Sequence, residues 1–548
     1  MACGQDSDGP SPRADLLAER PVLQRVVEAV HARRLDTLVD YLKHPDPSVR
    51  ARAAFGAATV GDPRLLRPLI ESLSDSVSAV REDAAFALAR LGVSPEAETA
   101  LVQRLRLEED PGVRLEIVDG LGFVGGATSS LVLVGPARAD RTWRLAGTRA
   151  LARMSGRGVL APAARDSLVA RLSDPEASIR LAAARGFAAA RGPDVWLRYR
   201  ARVRDVLAGY DLAEPAARPL LASFGRLLPR ASLSRWRTGA TDPRTRRAAV
   251  QAVVGHSDGL LGLGDLDESL DDPDPWVREA SARGLADLAG SDAAMDVLSA
   301  AIGPEADPAT EESWLRALAA RGRIDELSDR MRSRALDDLV AWRAAAALLQ
   351  VFDESRVAAI LATATASPSP YIRELALRAR ADPAPTAWPT SAVEPGRSWT
   401  AEDWAELARL GPRPRLELEL PAGRVVVRLD PDQAPAAVLF LARRVESGSY
   451  AGVPVHRVIP GVLAQWGQPG QPVPGPPRER ARLRFRTGVV GWAMSSAGSD
   501  DDLFVALDDL PELDGRYTAI GWVIEGLEVW ASTPEGTAVR SARVLGSL

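Results

Sequence analysis

The chain has 548 residues, a hydrophobic fraction of 46% and a net charge of −5, so it is long enough for at least two folding units with sizeable cores. Its single cysteine excludes an internal disulfide and a zinc site of several thiolates, and four scattered histidines do not support a histidine-based metal site. Lys43 is the only lysine, but the many arginines alternate with Asp and Glu, which does not favour a nucleic-acid-binding surface. We therefore expect no metal, no cofactor and no nucleic acid.

The N-terminal residues 1–15 are predicted to form a disordered polar tail. Within them, Cys3 follows small residues and precedes the polar residues 6–12, an arrangement that resembles the start of a mature bacterial lipoprotein. Cys3 is therefore a lipidation candidate, which predicts a natural N-terminus that is longer or cleaved before Cys3, and a place in the cell envelope or periplasm. The alternative is an incidental cysteine in a cytoplasmic protein. Because no run of 18 apolar residues occurs, we expect membrane contact only through such a lipid.

Residues 16–380 repeat themselves at a period near thirty residues. The repeated feature is a turn, often Asp-Pro, followed by an apolar residue and an arginine, as at residues 46–50, 110–114, 174–180 and 274–278. Asp can accept hydrogen bonds from the free N–H groups at a helix start, and Pro is tolerated at the first helical position. Apolar residues at helical spacing on both sides of the turn indicate paired helices, each with one apolar face.

Paired helices of this kind are stable only as a stacked array, which offers a long curved surface to a partner. The pattern resembles HEAT repeats of the short class named after bilin-lyase proteins, and it implies a protein partner on the solenoid. The arginine that recurs once per repeat is predicted to bond an Asp or carbonyl of a neighbouring repeat rather than a ligand. The pattern weakens between residues 190 and 240, where we expect an irregular repeat.

Residues 381–412 are predicted to be a proline-rich linker followed by a short helix. Proline at this density removes hydrogen-bond donors and fixes φ, so neither a helix nor a central strand can run through the first part. Thr400 begins a short helix that ends before Gly411. We expect the segments on the two sides of the linker to fold separately, with proteolysis between residues 380 and 397.

Residues 413–548 change to a period of two, which is typical of β-strands. Leucines alternate with glutamates over residues 416–420, and a second alternating run follows the turn at Pro421 and Gly423. This pattern predicts a hairpin. A helical apolar stripe then begins near Pro435.

Four blocks further along carry a family resemblance: residues 455–465, 488–494, 503–505 and 511–521. In order and spacing they resemble the cyclophilin family of peptidyl-prolyl cis-trans isomerases, with the His-Arg-Val-Ile-Pro-Gly and Leu-Asp-Gly-Arg-Tyr stretches as the strongest parts. The resemblance covers residues 414–548. The fold class implied for the whole chain is an all-α HEAT-repeat solenoid followed by an eight-stranded antiparallel cyclophilin-like β-barrel. The implied activity is isomerisation of X-Pro bonds in protein clients, with proline-containing polypeptides as partners and a role in protein folding.

The resemblance also assigns roles to individual residues. Arg457 matches the catalytic arginine, and Gln465 matches the glutamine that positions it and the bound peptide. Eight further positions match or replace substrate-binding positions of the family: Val462, Leu463, Ala493, Met494, Asp502, Phe504, Leu513 and Tyr517. His456 is interpreted as structural.

Several residues depart from the family pattern. Asp502 stands where a glutamine commonly holds the substrate backbone, and it could pair with Arg457. Val462 replaces a phenylalanine of the pocket wall, and Trp466 replaces a glycine. The alternative function is therefore a catalytically degenerate, proline-peptide binding module on a HEAT scaffold.

Overall fold

The computed structural model describes residues 20–134, 140–190, 197–254, 262–288, 291–302, 308–332, 398–459, 461–467, 475–495 and 498–547, with a few isolated positions besides. Side chains at 494–501 are outside this description. The chain forms two compact units, one of residues 1–124 with 387–548 and one of residues 125–386. Within the described residues, no helix has the length and apolar character needed to cross a membrane.

The first unit begins with helices that alternate along the chain as repeat pairs. Their bounds are α1 Pro21–His31, α2 Leu35–Leu42, α3 Pro47–Val60, α4 Leu66–Ser72, α5 Ser78–Leu88, α6 Pro95–Leu107 and α7 Pro111–Val124. The predicted turn chemistry is confirmed, because the Asp46 side chain accepts from the Ser48 N–H at the start of α3, and Asp110 accepts from Gly112 N–H.

The recurring arginine bonds in the way that its fixed position predicts. Arg50 donates to both carboxylate oxygens of Asp75 in the next repeat, at 2.7 and 3.0 Å, and to the His44 and Pro45 carbonyls before its own helix. Arg81 repeats this arrangement one repeat later, with Glu108 as the carboxylate at 2.8 and 2.9 Å. Each arginine thus ties the turn that precedes its helix to the next repeat.

The second unit contains helices of the same kind. Their bounds are α8 Ala127–Val134, α9 Arg141–Arg157, α10 Pro162–Ala170, α11 Ala177–Ala188, α12 Arg200–Gly209, α13 Ala217–Phe224, α14 Arg230–Gly239, α15 Pro243–Val254, α16 Leu263–Leu270, α17 Pro275–Asp287, α18 Asp292–Ala301, α19 Pro308–Ala320 and α20 Ile324–Arg332. Arg246 pairs with both oxygens of Asp272 at 2.8 Å, as Arg50 does with Asp75. In the stretch where an irregular repeat is expected, α13 has no side-chain N-cap and ends in a 3₁₀ turn, as α10 also does, so the irregular repeat stays a prediction.

The C-terminal part of the first unit begins with α21, Ala401–Leu410, whose predicted start is confirmed by reciprocal hydrogen bonds between Thr400 and Asp403. Eight antiparallel strands follow, in the spatial order β3-β4-β6-β5-β7-β2-β1-β8. Their bounds, with two helices between them, are β1 Arg415–Leu420, β2 Gly423–Leu429, α22 Pro435–Glu446, β3 Val455–Ile459, β4 Leu463–Trp466, β5 Val489–Ser495, β6 Gly498–Ala506, β7 Ala519–Glu525, α23 Leu527–Ser532 and β8 Ser541–Leu545.

The sheet curls into the predicted barrel, which is closed by backbone hydrogen bonds between the start of β3 and the residues just before β8. Val455 N–H donates to the Thr537 carbonyl at 2.8 Å, and Val539 N–H donates to the Val453 carbonyl at 2.8 Å. The interior holds alternate residues of β1, β2, β4, β5 and β6, together with Val455 of β3, Ile520 of β7 and one face of α22. Ala542 and Val544 of β8 are partly buried against it. Trp466, the residue that replaces a glycine in the family pattern, is fully buried there against Trp530, with ring centroids 4.5 Å apart. Its bulk therefore fills the barrel core.

The first seven helices and the barrel lie in one compact unit, an association that the sequence did not predict, whereas separate folding stays a prediction. Within the first unit, Trp404 Nε1 donates to Glu28 of α1 at 2.9 Å. Arg52 of α3 donates to the Asp432 carbonyl oxygen at 2.7 Å. The proline-rich composition could not predict these contacts, because they are made by the short helix and by the barrel. The tail at 1–15 and residues 381–397 lie outside the described part, so the predicted domain boundaries and cleavage region stay predictions.

Candidate active site

The two predicted catalytic residues and one predicted substrate-binding residue lie in one row across three neighbouring strands. Arg457 on β3 is directly opposite Gln465 on β4, and Gln465 is directly opposite Phe504 on β6. Because directly opposed residues of antiparallel strands point to the same face of a sheet, the three side chains share one face. Their neighbours along β4 and β6, among them Ala464 and Leu503, point into the barrel core instead. The alternation of side chains along each strand therefore places the site residues on one face of the sheet and the core residues on the other.

Arg457 is exposed, which differs from the usual state of an arginine in an apolar strand. The suggestion that Asp502 pairs with it is wrong. The Asp502 carboxylate is 5% exposed, and its Oδ2 accepts from Gln465 Nε2 at 3.0 Å and lies 3.2 Å from His456 Nε2. Across the described part of the chain, no carboxylate lies within the 4 Å of an ion pair to Arg457. The Arg457 guanidinium is thus available to a ligand. His456 is buried beside Asp502, and its structural role stays a prediction.

An apolar cluster on this face of the sheet contains most of the predicted substrate-binding residues. Phe504 is 3% exposed and Ala493 7% exposed. Packed against them and only partly buried are Val462, Leu463, Leu513 and Tyr517. The Tyr517 ring meets the Phe504 ring edge to face, with centroids 5.6 Å apart. A buried aromatic base with half-exposed apolar residues around it is suited to hold a small apolar ring.

Two of the predicted positions cannot be placed in this cluster. The backbone of Met494 lies in β5, but its side chain is outside the described residues. Cys3, the lipidation candidate, also lies outside them. The roles of all the site residues stay predictions, including the one assigned to Asp502 in contacting substrate.

Phe485 is a member of the site that sequence reasoning missed. Its ring is 1% exposed and stacks on Phe504 at 5.2 Å between centroids. The two rings approach β5 so closely that a Cβ at Gly491 would lie 2.6 Å from Phe485. A signal for it existed, because residues 478–486 alternate arginine with other residues at a period of two. That alternation predicts an extended segment with one face turned to an apolar surface.

The loop that carries Leu513 and Tyr517 is fixed to Phe485 through the backbone. Phe485 N–H donates to Asp514 Oδ1 at 2.8 Å, and Leu510 N–H donates to the Phe485 carbonyl at 2.5 Å. Asp514 is 5% exposed. The loop and the segment that carries Phe485 are therefore held together as one wall of the site.

Known proteins resemble two parts of the chain. A family model described as cyclophilin type peptidyl-prolyl cis-trans isomerase/CLD matches residues 415–544, and one described as HEAT repeats matches residues 35–122. A probable peptidyl-prolyl cis-trans isomerase of Brucella suis is 32% identical over 146 residues, which cover 23% of this chain and 74% of that protein. The chain belongs to the cyclophilin-type peptidyl-prolyl cis-trans isomerase family.

Other relatives match the same cyclophilin domain. Peptidyl-prolyl cis-trans isomerase B of Bacillus subtilis is 30% identical over 131 residues, which cover 22% of this chain and 92% of that protein. Among solved structures, a cyclophilin type peptidyl-prolyl cis-trans isomerase of Cryptosporidium parvum is 20% identical, with a TM-score of 0.22 and coverage of 25% of this chain and 99% of that one. The predicted family and the predicted HEAT repeats are thus both confirmed.

Proposed function

We propose that the cyclophilin domain of this chain isomerises X-Pro bonds in protein clients, with Arg457 as the catalytic residue. The observation that carries this proposal is the row Arg457, Gln465 and Phe504 on one face of the sheet. A cationic donor with no carboxylate beside it among the described residues lies there next to an apolar cluster suited to a proline ring. That combination of groups is the one the reaction requires.

The reaction needs no covalent intermediate and no proton transfer. Rotation about the peptide bond meets a barrier of roughly 18–20 kcal/mol, because resonance gives the C–N bond double-bond character. Twisting the bond localises a lone pair on the prolyl nitrogen. A fixed cationic donor aimed at that nitrogen binds the twisted form better than either planar form, and this difference lowers the barrier. Arg457 supplies the donor.

The other residues hold the substrate and the catalyst. Phe504 and its apolar neighbours bind the proline ring, planar or twisted, and so they contribute to affinity more than to rate. Gln465 contacts the peptide backbone and is itself held by Asp502 Oδ2 at 3.0 Å. Asp502 therefore acts on the substrate chiefly through Gln465.

The helical repeats are proposed to bind the protein clients whose prolines reach the site, so that the chain serves in protein folding. Stacked helix pairs build extended surfaces of the kind that protein partners use. A lipid on Cys3 is proposed to anchor the chain in the cell envelope. Partition of the native protein into detergent supports the anchor, and an unmodified Cys3 in mass spectrometry excludes it.

The second candidate function is a proline-peptide binding module without isomerase activity. Two features favour it: Val462 provides less apolar contact than an aromatic residue would, and the Asp502 carboxylate occupies one amide N–H of Gln465. The deciding experiment measures cis-trans exchange of an Ala-Pro peptide by NMR, with and without the full-length chain. Exchange well above the uncatalysed rate supports the isomerase. Peptide binding without faster exchange supports the binding module.

A further inference from the structure

Residues 478–486, here called the arginine segment, connect the site to the helices of the same unit. Arginine occupies the even positions, and the odd positions are Glu479, Ala481, Leu483 and Phe485. Ala481, Leu483 and Phe485 all belong to the apolar cluster of the site. In an extended chain, successive side chains point to opposite sides, so the arginines between them are directed away from the cluster.

Two of these arginines end among carboxylates of the helical repeats. Arg482 pairs with Glu82 and Asp83 of α5, and the Asp83 side chain is 1% exposed. Arg484 lies 2.5 Å from Asp119 and 3.7 Å from Glu116, both on α7. Burial alone would lower the pKa of Arg484, but the charges of Asp119 and Glu116 outweigh it, and the pKa is raised. Both arginines therefore stay charged and bound to the helices.

Glu479 makes a third connection, to α1. Its two carboxylate oxygens accept from the Ala436 and Ala437 N–H groups at the start of α22, at 3.2 and 2.9 Å. The same carboxylate lies 2.9 Å from His31 Nε2, and both side chains are 3% exposed. A single buried carboxylate thus joins a helix of the barrel to a helix of the repeats.

The wall loop of the site also contacts the repeats. Gly515 lies between Leu513 and Tyr517 and is close to Arg90, which follows α5. A Cβ added at Gly515 would lie 3.6 Å from Arg90 Cγ. Arg90 in turn lies 3.5 Å from Glu116 and 3.7 Å from Asp119, the two carboxylates that bind Arg484. One buried charge cluster therefore contacts both the arginine segment and the loop, the two halves of the wall.

We propose that helices α1–α7 are a working part of the isomerase site, in which Arg482 and Arg484 are positioning residues that hold Phe485 beneath Phe504. This proposal rests on the proposed function of the domain. The helices fix the apolar wall and not Arg457, so loosening them acts on the binding of the proline ring. The repeats are then a support for the site as well as a surface for clients.

The test is Asp119→Asn in the full-length chain, because Asp119 lies on α7 and is no part of the apolar cluster. We expect KM for a proline peptide to rise about fivefold or more, with kcat nearly unchanged, since the apolar wall serves planar and twisted forms alike. Asp119→Glu keeps the charge and should restore KM. The matched control is Asp272→Asn, which removes an equivalent carboxylate from Arg246 in the second unit. It should leave KM unchanged, and equal KM values for the two Asn variants would overturn the proposal.

A second measurement does not depend on activity. A protease site placed within residues 381–397 of the full-length chain allows the connection to be cut after folding. We expect the two pieces to elute together in size-exclusion chromatography, because the buried ion pairs of Arg482 and Arg484 still join them. Separate elution would overturn the proposal whatever the wild-type activity is. If the pieces co-elute but the wild type binds peptide without isomerising it, only the proposed function is overturned. The Asp119→Asn variant is then compared with the wild type by the dissociation constant of the peptide instead of KM.

Discussion

The helical repeats and the barrel use arginine in opposite ways. Arg50 and Arg81 each bond a carboxylate of the next repeat and the carbonyls of their own turn, so their charges are neutralised inside the array. Arg457 is exposed and has no carboxylate within ion-pair distance in the described part of the chain. An exposed arginine on the site face that has no carboxylate beside it among the described residues is available to act on a ligand.

The pKa values of two carboxylates, one in the repeats and one in the barrel, differ in a similar way. Hydrogen bonds from Arg81 and then Arg104 lower the pKa of Glu108 from 4.5 to about 2. Burial, followed by the nearby charge of Asp432, raises the pKa of Asp430 in the barrel from 3.8 to about 6. Glu108 stabilises the fold above pH 4.5 and loses that contribution as the pH falls through 2. Asp430 has the opposite effect: because folding favours its protonated form, its ionisation destabilises the fold as the pH rises from about 4 to above 6.

The largest predicted effect is on the connection between the two regions. Arg484→Ala removes a cationic partner from Asp119 and Glu116, whose side chains are 12% and 10% exposed. Breaking a buried ion pair from one side costs roughly 3–5 kcal/mol. We expect a loss of this size in the free energy of unfolding of the first unit, measured by urea denaturation with tryptophan fluorescence.

The matched control for that variant is Arg424→Ala. Arg424 is an exposed arginine of β2 whose pairs with Glu417 and Glu525 lie at the surface. Its loss should cost less than about 1 kcal/mol. Equal costs for the two variants would mean that the arginine segment adds no more to stability than a surface pair.

A smaller effect is predicted for Asp430→Asn. Because the pKa of Asp430 is 3.8 unfolded and about 6 folded, ionisation of the folded protein costs up to about 3 kcal/mol at pH 7. The variant should be more stable than the wild type at pH 7 by up to that amount. The difference should shrink as the pH falls through 6 and vanish below about pH 4.

Urea denaturation at several pH values measures this difference, and Glu528→Gln serves as a control at an exposed carboxylate. A stability gain that is the same at every pH would show that ionisation of Asp430 is not its cause.

The smallest predicted effect concerns the pocket wall. Val462→Phe adds apolar contact at the edge of the cluster, where Val462 is only partly buried. We expect proline peptides to bind about tenfold more tightly, which corresponds to about 1.4 kcal/mol. Titration of peptide binding across Val462→Ala, wild type and Val462→Phe should give affinities that rise in this order. An unchanged affinity across the series would remove Val462 from the binding site.

Much of the fold could be predicted from local patterns. Alternation at residues 416–429 predicted the β1–β2 hairpin, and the Asp-Pro turns predicted where helices such as α3 begin. The row of Arg457, Gln465 and Phe504 was also reached from spacing, through the family resemblance. The hairpin and the helix starts depend on residues close in sequence, and the row depends on a motif within one domain.

Contacts between distant segments could not be predicted in this way. Arg484 and Asp119 are far apart in the chain, and neither side chain has a local signal that identifies the other. The sequence suggests that Asp502 could pair with Arg457, but in the folded chain its carboxylate lies beside Gln465 and His456. Burial of charge between segments is thus a property of the assembled fold.

The most direct test of the account is the isomerisation rate of the full-length Arg457→Ala variant. Removing one preorganised donor typically costs about 2.7–4 kcal/mol in the transition state, so kcat should fall by about a hundredfold or more. The dissociation constant of the peptide should change by no more than about threefold, because Phe504 and its neighbours remain in place. Arg424→Ala, the surface control, should leave both quantities unchanged. A kcat equal to that of the wild type would contradict the assignment of Arg457 as the catalytic residue.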